Sequence, residues 1–211
     1  DAPITVRAAR PGTVTLEVRD VEGIVVSHPY WTFENLSWKG LCRADDECEH
    51  AFHVVGGARA TVVRNNHFAD FSAHLKINGH SGQFPDEGLL QYSTLANTRP
   101  RKGQLPVALV DIVGASSWQL LDNRVEGFVK EGGDGVSYGM FMKGAGQGGR
   151  IERNVVVCTP AAVRQLLGAV RSSAGSREGI ERLVADTSAR PDPGPAYRRF
   201  RNAERYFAAA R

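Results

Sequence analysis

The segments Gln119-Leu-Leu-Asp-Asn123-Arg-Val125 and Arg150-Ile-Glu-Arg-Asn154-Val-Val156 repeat one pattern: alternating apolar residues lead to an Asn, which another apolar residue soon follows. Three further segments carry Asn35, Asn66 and Ser93 at the equivalent position, so that successive marked positions lie 31, 27, 30 and 31 residues apart. A nearly constant period of this length is typical of a solenoid, in which stacked coils bury a core that one coil cannot bury alone.

A second alternating segment lies between successive marked segments, and each copy ends in Gly. Period-2 alternation predicts a strand, and Gly permits the positive φ of a tight turn. Leucine-rich repeats are shorter than this period and propeller blades are longer. The pattern predicts an all-β fold, a right-handed parallel β-helix of about four to five coils over residues 1–158, clearest from about residue 30. The copies are Phe52–Gly56, Leu75–Gly79, Val110–Gly114 and Met140–Gly144.

The recurrent Asn is expected to lie in a turn at the same level of every coil. Its amide both donates and accepts hydrogen bonds, and its short side chain tolerates the left-handed region of φ and ψ. We therefore expect each Asn to bond the Asn of the coils above and below it and to satisfy backbone groups of the turn.

Residues 159–211 follow a different pattern. Helical spacing over 161–171, 178–185 and 196–211 predicts an α-helical, Arg/Ala-rich C-terminal extension, with a Pro-rich linker at 190–195. The extension is expected to cap the open end of the solenoid. Two alternatives are a poorly ordered extension and a stretch that is not the native continuation of the β-helix, for example through a reading-frame error.

The net charge of +3 is unevenly distributed along the chain. Residues 1–158 have a balance of −2, and residues 159–211 have a balance of +5. Because the predicted solenoid is close to neutral, the charge does not indicate a nucleic-acid partner. The sequence contains no run of 18 or more apolar residues, so it predicts no membrane-spanning helix. We expect a monomer that is secreted or periplasmic.

Cysteine is sparse, and Cys42 and Cys48 bracket a polar loop. Their spacing favours a local disulfide, with free thiols as the alternative, because the loop lacks the paired Cys/His spacing of a zinc site. Cys158 is left without a partner, which we expect to lie in another part of a longer parent protein.

Alternation also predicts that the residues four and two positions before each of these Gly residues point inward and that those three and one positions before it, Phe141 among them, point outward. His53, Lys76 and Asp111 are expected to form one line on a sheet face, with Asn78 and Lys143 in the neighbouring column. These ionisable groups predict a site, although an ion-paired structural ladder is the simpler interpretation of any one of them. Neighbouring loops are expected to add Glu49, His50, His74 and the substrate-binding candidates Arg99, Arg101, Lys130 and Tyr138.

Two reactions suit such a face. β-Elimination on a uronate polymer needs a base for the proton α to the carboxylate and a cation or amide that neutralises that carboxylate. Lys143, Lys76, His53 and Asp111 are the catalytic candidates, and Asn78 is a candidate ligand of the substrate. Glycoside hydrolysis by paired carboxylates fits less well, because Asp111 is the only acid on the predicted line.

Several segments carry a resemblance to a known family. They are Ala2-Pro-Ile-Thr-Val-Arg7, Pro11-Gly-Thr-Val14, Trp31-Thr-Phe-Glu-Asn-Leu36, Cys48-Glu-His-Ala-Phe-His53, Phe84-Pro-Asp-Glu-Gly88 and Ser137-Tyr-Gly-Met-Phe-Met-Lys-Gly144. Over about residues 2–158 the chain resembles right-handed β-helix proteins of the pectin-lyase-like superfamily, in particular an uncharacterised branch near the alginate lyase and chondroitinase B type of polysaccharide lyase.

The resemblance implies an acidic polysaccharide as partner and β-elimination as the reaction. In those lyases a Lys on one coil and an Arg on the next act beside Ca²⁺ held by acids. Lys143 matches that Lys by its place before a Gly turn, whereas no Arg partner is found one coil later. Ca²⁺ is thus the candidate cofactor, for instance at Asp45, Asp46 and Glu47. A non-catalytic carbohydrate-binding module and an inactive truncated fragment are the alternatives.

Overall fold

The alternating segments form short strands that stack in three parallel sheets. The computed structural model describes residues 3–132 and 136–157 and the backbone of 198–199. Sheet A contains β1 (Ile4–Arg7), β4 (Trp31–Glu34), β7 (Val62–Arg64), β10 (Leu89–Gln91), β13 (Gln119–Leu121) and β16 (Arg150–Glu152). Sheet B contains β2 (Thr15–Val18), β5 (Ser37–Gly40), β8 (His67–Ala69), β11 (Thr94–Ala96), β14 (Arg124–Glu126), β17 (Val155–Val157) and, antiparallel to β17, β18 (Arg198–Arg199). Sheet C contains β3 (Glu22–Val26), β6 (His50–Val55), β9 (Ala73–Asn78), β12 (Val107–Val113) and β15 (Ser137–Lys143).

The chain is a parallel β-solenoid of about five turns. Each complete coil contributes one strand to each sheet, and β16 and β17 begin a further coil. The first coil begins at Ile4, earlier than the Asn pattern indicated, because residues 8–14 replace the short marked corner between β1 and β2. The right-handed sense of the coil stays a prediction. It is supported by the general preference for right-handed connections between parallel strands. The predicted α-helical extension over 159–211 lies outside the described residues.

Helix is nearly absent from the part of the chain that the structure describes. A 3-10 turn at Asp45–Glu47 lies in the loop between β5 and β6. Among these same residues, no helix has the length and apolar character needed to cross a lipid bilayer.

The core lies inside the three sheets and is built from columns of like residues. Trp38 on β5 packs edge-on against Phe52 on β6 at a centroid distance of 4.6 Å, and it stacks on Phe68 of the next coil at 6.3 Å. Of the inward residues predicted on sheet C, Met142 is half-buried and the others are confirmed as buried. Phe52, Val54, Leu75, Ile77, Val110 and Ile112 are all 0% exposed, and Met140 is 4% exposed.

The Gly residues after the sheet C strands make the predicted turns with one exception. Gly56, Gly114 and Gly144 have φ values of 58°, 74° and 86°. Gly79 is not in the left-handed region. It is required for close packing instead, because a Cβ there would approach the ring of Phe84 to 2.5 Å.

The predicted Asn ladder exists, but its first member was assigned one residue too early. Strand register pairs Glu34 with Arg64, so Asn35 stands level with Asn65 rather than with Asn66. Leu36 occupies the ladder position, and its N–H donates to Asn66 Oδ1 at 3.0 Å. Asn35 and Asn66 are 31 residues apart, a spacing that fits the repeat and so concealed this shift. The strand register shows that equivalent positions in these two coils are 30 residues apart.

The left-handed backbone also falls one residue before the ladder, so the expectation that the ladder Asn itself adopts it was wrong. The ladder Asn therefore stabilises the turn through the hydrogen bonds of its side-chain amide and not through a left-handed backbone. In the turn between sheets A and B, the residues that precede the ladder position have positive φ; they are Asn35, Asn65, Tyr92, Asp122 and Arg153, at 64°, 51°, 52°, 57° and 55°.

Each ladder Asn satisfies backbone groups of the coil below. Asn123 is 1% exposed, and its Oδ1 accepts the N–H of Ser93 at 2.9 Å. Its Nδ2 donates to Leu90 O at 2.9 Å and to Asn154 Oδ1 at 2.9 Å. Asn66 and Asn154 donate in the same way to Phe33 O and Leu120 O.

Replacement of Asn123 by alanine is expected to lower the free energy of unfolding by about 2–3 kcal/mol, because Ser93 N–H and Leu90 C=O would lose buried partners. Urea denaturation followed by circular dichroism measures this loss. Asn65→Gly is the matched control, since Asn65 is exposed, its Nδ2 donates to Asn35 Oδ1 at the surface, and Gly accommodates its φ of 51° without strain. Equal losses in the two variants would contradict the role given to the ladder.

Cys42 and Cys48 form a disulfide with Cα atoms 5.6 Å apart, so the favoured interpretation of this pair is confirmed. The bond closes the loop that leads from β5 into β6. Cys158 lies outside the described residues.

Candidate functional site

The outer face of sheet C carries polar side chains in every complete coil. Strand register pairs His53 with Lys76, Lys76 with Asp111, and Asp111 with Phe141. Since neighbouring strands are about 4.8 Å apart, five strands span about 19 Å. We call this surface the sheet C row; it comprises Glu22, His50, His53, Lys76, Asn78, Asp111, Tyr138, Phe141 and Lys143.

Asp111 holds two ammonium groups at the centre of the row. Lys76 Nζ lies 2.5 Å from Asp111 Oδ2, and Lys143 Nζ lies 3.7 Å from Asp111 Oδ1. Asp111 Oδ1 is buried and has no hydrogen-bond partner among the described residues. The Lys76 side chain is 23% exposed and that of Lys143 is 57% exposed. Lys143 is therefore the lysine of the row that solvent and a ligand reach.

The Lys143 ammonium lies over an aromatic ring, which a second ring contacts in turn. Lys143 Nζ lies 4.7 Å from the centre of the Phe141 ring, and Tyr138 meets that ring edge-on at 5.3 Å. Phe141 was expected to point outward, yet it is 8% exposed, because Tyr138 and Lys143 pack against it. This end of the row thus combines an exposed cation with an aromatic surface.

At the opposite end, Glu22 joins His50 and His53. Glu22 Oε1 lies 2.5 Å from His53 Nδ1 and 3.3 Å from His50 Nδ1. Strand register pairs Glu22 with His50 directly. The potential ligand atoms of the three residues lie within 4.8 Å of one another. Sequence reasoning missed Glu22, because the first coil lacks the Asn marker that would have aligned it with His50.

The outer nitrogens of both histidines also face acceptors. His53 Nε2 lies 2.9 Å from Asn78 Oδ1, and His50 Nε2 lies 3.2 Å from Glu49 Oε1. Burial lowers the pKa of His50, against the opposing effect of the carboxylates of Glu49 and Glu22. The buried imidazole is therefore biased toward its neutral form, which is the form that binds metals.

His50 and His74 do not lie in loops as the sequence predicted. His50 begins β6, and His74 is the second residue of β9. His74 is 0% exposed and points away from the row into the core. The loop assignment was wrong because both residues precede the regular alternation of their strands, which had been used to find the strand ends.

Arg99 and Arg101 do not join the sheet C row. Both contact Asp45, at 2.7 Å for Arg99 Nη2 and 3.0 Å for Arg101 Nη1. The two arginines help to line a separate cleft of about 360 Å³, together with Arg19, Lys39 and Asp70. The Arg101 side chain is 4% exposed, which leaves Arg99, at 51%, as the accessible member of the pair.

Lys130 also lies away from the row. It is 1% exposed, and its Nζ donates to Gln104 O at 3.1 Å. Lys130 and Arg101 form a parallel β-bridge, so Lys130 supports the loop that carries the arginines.

The acidic loop suggested for Ca²⁺ has its carboxylates engaged by the protein itself. Asp45 accepts from Arg99, Arg101 and the N–H of Lys102. Asp46 accepts the N–H groups of Gln104 and Leu105. These carboxylates fasten one loop to another, and they do not converge on an open position for a cation.

Protein-family models, curated proteins and solved structures were all compared with the chain, and none matches it. The resemblance to pectin-lyase-like proteins thus rests only on the sequence segments that carry it. The structure supports the fold, a parallel β-solenoid.

Proposed function

We propose that this β-solenoid binds an acidic polysaccharide along the sheet C row, with Lys143 as the principal contact for a carboxylate. The observation that supports the proposal most directly is the in-register row itself. It places polar groups on every complete coil of a rigid sheet, and a linear polymer of repeating sugars matches a linear surface of repeating strands.

The Lys143 end of the row has the chemistry that a uronate needs. The exposed ammonium of Lys143 attracts the carboxylate, and the half-buried Tyr138 ring offers apolar surface to the C–H face of a sugar. Asn78 adds an amide near the middle of the row. Its Nδ2 donates to Gly79 O and its Oδ1 faces His53, which fixes its orientation.

β-Elimination is a second candidate, and the contacts that Tyr138 and Lys143 each make with the Phe141 ring favour it. The reaction needs one group that removes the proton α to the carboxylate and another that neutralises the carboxylate as charge develops. Lys76 is paired with Asp111, and His53 lies between Glu22 and Asn78. The phenol of Tyr138 and the ammonium of Lys143 are therefore the better candidates for these two roles.

The proposal includes a monomer that works outside the cytoplasm, secreted or periplasmic. The Cys42–Cys48 disulfide supports that location, since disulfides persist in oxidising compartments.

Lys143→Ala is expected to weaken binding to pectate, alginate or chondroitin sulfate by at least about tenfold, because one charge-assisted contact contributes roughly 1.5 kcal/mol. Isothermal titration calorimetry measures the affinity, with dextran as the uncharged polymer. Lys102→Ala is the matched control, because Lys102 is 68% exposed and pairs with Glu131 on a loop outside the row. Absence of binding to all three polymers, or equal affinity of the two variants, contradicts the proposal.

The same polymers separate binding from β-elimination. Elimination produces an unsaturated uronate whose ultraviolet absorbance rises with time, and we would follow it with and without Ca²⁺. Tyr138→Phe is expected to abolish that rise while it retains binding. Binding without any rise in absorbance identifies a non-catalytic module.

A further inference from the structure

We propose that Glu22, His50 and His53 form a binding site for a divalent transition-metal ion of the Zn²⁺ class. The three residues lie at the first two strands of the sheet C row, at the end opposite Lys143. The inference does not depend on the saccharide, since it concerns three side chains that converge on one another.

The distances between the potential ligand atoms suit a small cation. Zinc binds His nitrogen and carboxylate oxygen at about 2.0–2.1 Å, so two ligands of a tetrahedral site are about 3.3 Å apart. His50 Nδ1 and Glu22 Oε1 are 3.3 Å apart. His53 Nδ1 lies closer to the same oxygen, at 2.5 Å, and the Glu22 side chain is 33% exposed, so its carboxylate has room to move outward as an ion enters.

Hydrogen bonds on the far side of His53 determine which nitrogen is free to ligate. Asn78 Nδ2 donates to Gly79 O at 3.0 Å, which directs Asn78 Oδ1 toward His53 Nε2 at 2.9 Å. An acceptor at that position requires the proton on Nε2. In that tautomer the Nδ1 lone pair of His53 faces Glu22 Oε1, and the two atoms can both ligate one cation once the carboxylate moves outward.

His50 repeats this arrangement. Its Nε2 faces Glu49 Oε1 at 3.2 Å, and its Nδ1 faces Glu22 Oε1. The two rings are 5.4 Å apart and the His50 side chain is 10% exposed, so both Nδ1 atoms face the same carboxylate from neighbouring positions. One divalent ion can accept both lone pairs. Outer-shell acceptors on ligating histidines are the usual arrangement of metal sites.

The ligand set also determines the class of metal. Two imidazoles and one carboxylate are borderline ligands that suit Zn²⁺, Co²⁺ or Fe²⁺, whereas Ca²⁺ takes oxygen ligands alone. Three protein ligands leave at least one coordination position for water or another molecule, as in catalytic rather than structural zinc sites.

The test uses the full chain after treatment with a chelator, titrated with Zn²⁺ in competition with a chromogenic chelator and separately with Co²⁺ followed by visible absorption. We expect one equivalent of each ion and no competition by Ca²⁺. His53→Ala and Glu22→Gln are each expected to weaken Zn²⁺ binding by at least about 100-fold, and Asn78→Ala by about tenfold through loss of its outer hydrogen bond.

His67→Ala is the matched control, because His67 is an exposed histidine on sheet B. It is expected to leave the affinity unchanged. Circular dichroism shows that each variant is folded, and Glu22→Gln, which keeps the size of the side chain, decides the matter if an alanine variant does not fold. Unchanged affinity in Glu22→Gln, equal losses in His67→Ala and His53→Ala, or no stoichiometric Zn²⁺ binding overturns the proposal. No saccharide enters this titration, so its failure is distinguishable from a failure of the proposed polysaccharide binding.

Discussion

Asp45→Ala is expected to lower the free energy of unfolding by about 3–5 kcal/mol, because it would leave the charge of Arg101 buried without a partner. Asp45 is 4% exposed and Arg101 is 3% exposed. Asp45 also accepts from both terminal nitrogens of Arg99, at 2.7 and 2.8 Å. The carboxylate therefore joins the disulfide loop to the segment before β12, which is more than fifty residues further along the chain.

The pKa of Asp45 gives the pH dependence of this contact. Burial alone would raise it, but hydrogen bonds from Arg99 and from the N–H of Lys102, together with the charge of Arg101, hold it below its ordinary value of 3.8. A carboxyl with a lowered pKa stabilises the folded state fully above its ordinary value, and that stabilisation is lost as the pH falls through the folded-state pKa.

Urea denaturation at neutral pH measures the effect of Asp45→Ala. The double variant Asp45→Ala/Arg101→Met is the control and is expected to recover most of the loss, since neither buried charge remains. A loss below about 1 kcal/mol in the single variant, or a double variant no more stable than the single one, would show that the pair is not a buried charge pair in solution.

Acidification from pH 6.5 toward 3 is expected to lower the free energy of unfolding by up to about 4 kcal/mol through His74 alone. His74 is 0% exposed and lies between the rings of Phe68 and Phe71, each at 6.0 Å. Its Nε2 donates to Asn97 Oδ1 at 3.0 Å, while its buried Nδ1 has no hydrogen-bond partner among the described residues.

Burial lowers the pKa of His74 to about 3, against the opposing effect of the Asn97 hydrogen bond, and the charge of Arg101 lowers it further. Between pH 6.5 and 3 the unfolded chain therefore takes up a proton that the folded chain does not. The free energy of unfolding therefore decreases as the pH is lowered from 6.5 to 3. The lowered pKa of Asp45 acts below pH 3.8, so measurements above pH 4 separate the two groups.

His74→Leu is expected to flatten the stability profile between pH 4 and 6.5. At neutral pH it would cost about 1–2 kcal/mol for the lost hydrogen bond and altered packing. Because burial also lowers the pKa of His50, the informative quantity is the difference in slope between the parent chain and His74→Leu. His67→Leu changes an exposed histidine and is expected to keep the slope of the parent. Parallel slopes for the parent and His74→Leu would refute the assignment.

Much of the architecture could be predicted from local pattern. Alternation placed Phe52, Leu75 and Val110 inside and His53, Lys76 and Asp111 outside, and strand register agrees. The error at Asn35 arose because two Asn residues, 65 and 66, adjoin in the next coil. Only the pairing of Glu34 with Arg64 shows which of them continues the ladder.

The partners of the candidate side chains could not be predicted in this way. Arg99 and Arg101 were assigned to a substrate groove, yet they contact Asp45, which lies 54 and 56 residues earlier in the chain. Glu22 was overlooked because it belongs to an unmarked coil, although it stands directly beside His50. Both cases depend on how loops and coils of unequal length meet in space.

The period of the coil, the buried columns and the outward face of sheet C could all be predicted from the amino-acid pattern, because alternation and a constant repeat are properties of a strand and its nearest neighbours. Which charged groups neutralise one another, and which converge on an open position, became clear from the folded structure. Those pairings depend on distances of a few ångströms between residues that are remote in the chain, and Coulomb and hydrogen-bond energies change steeply over such distances.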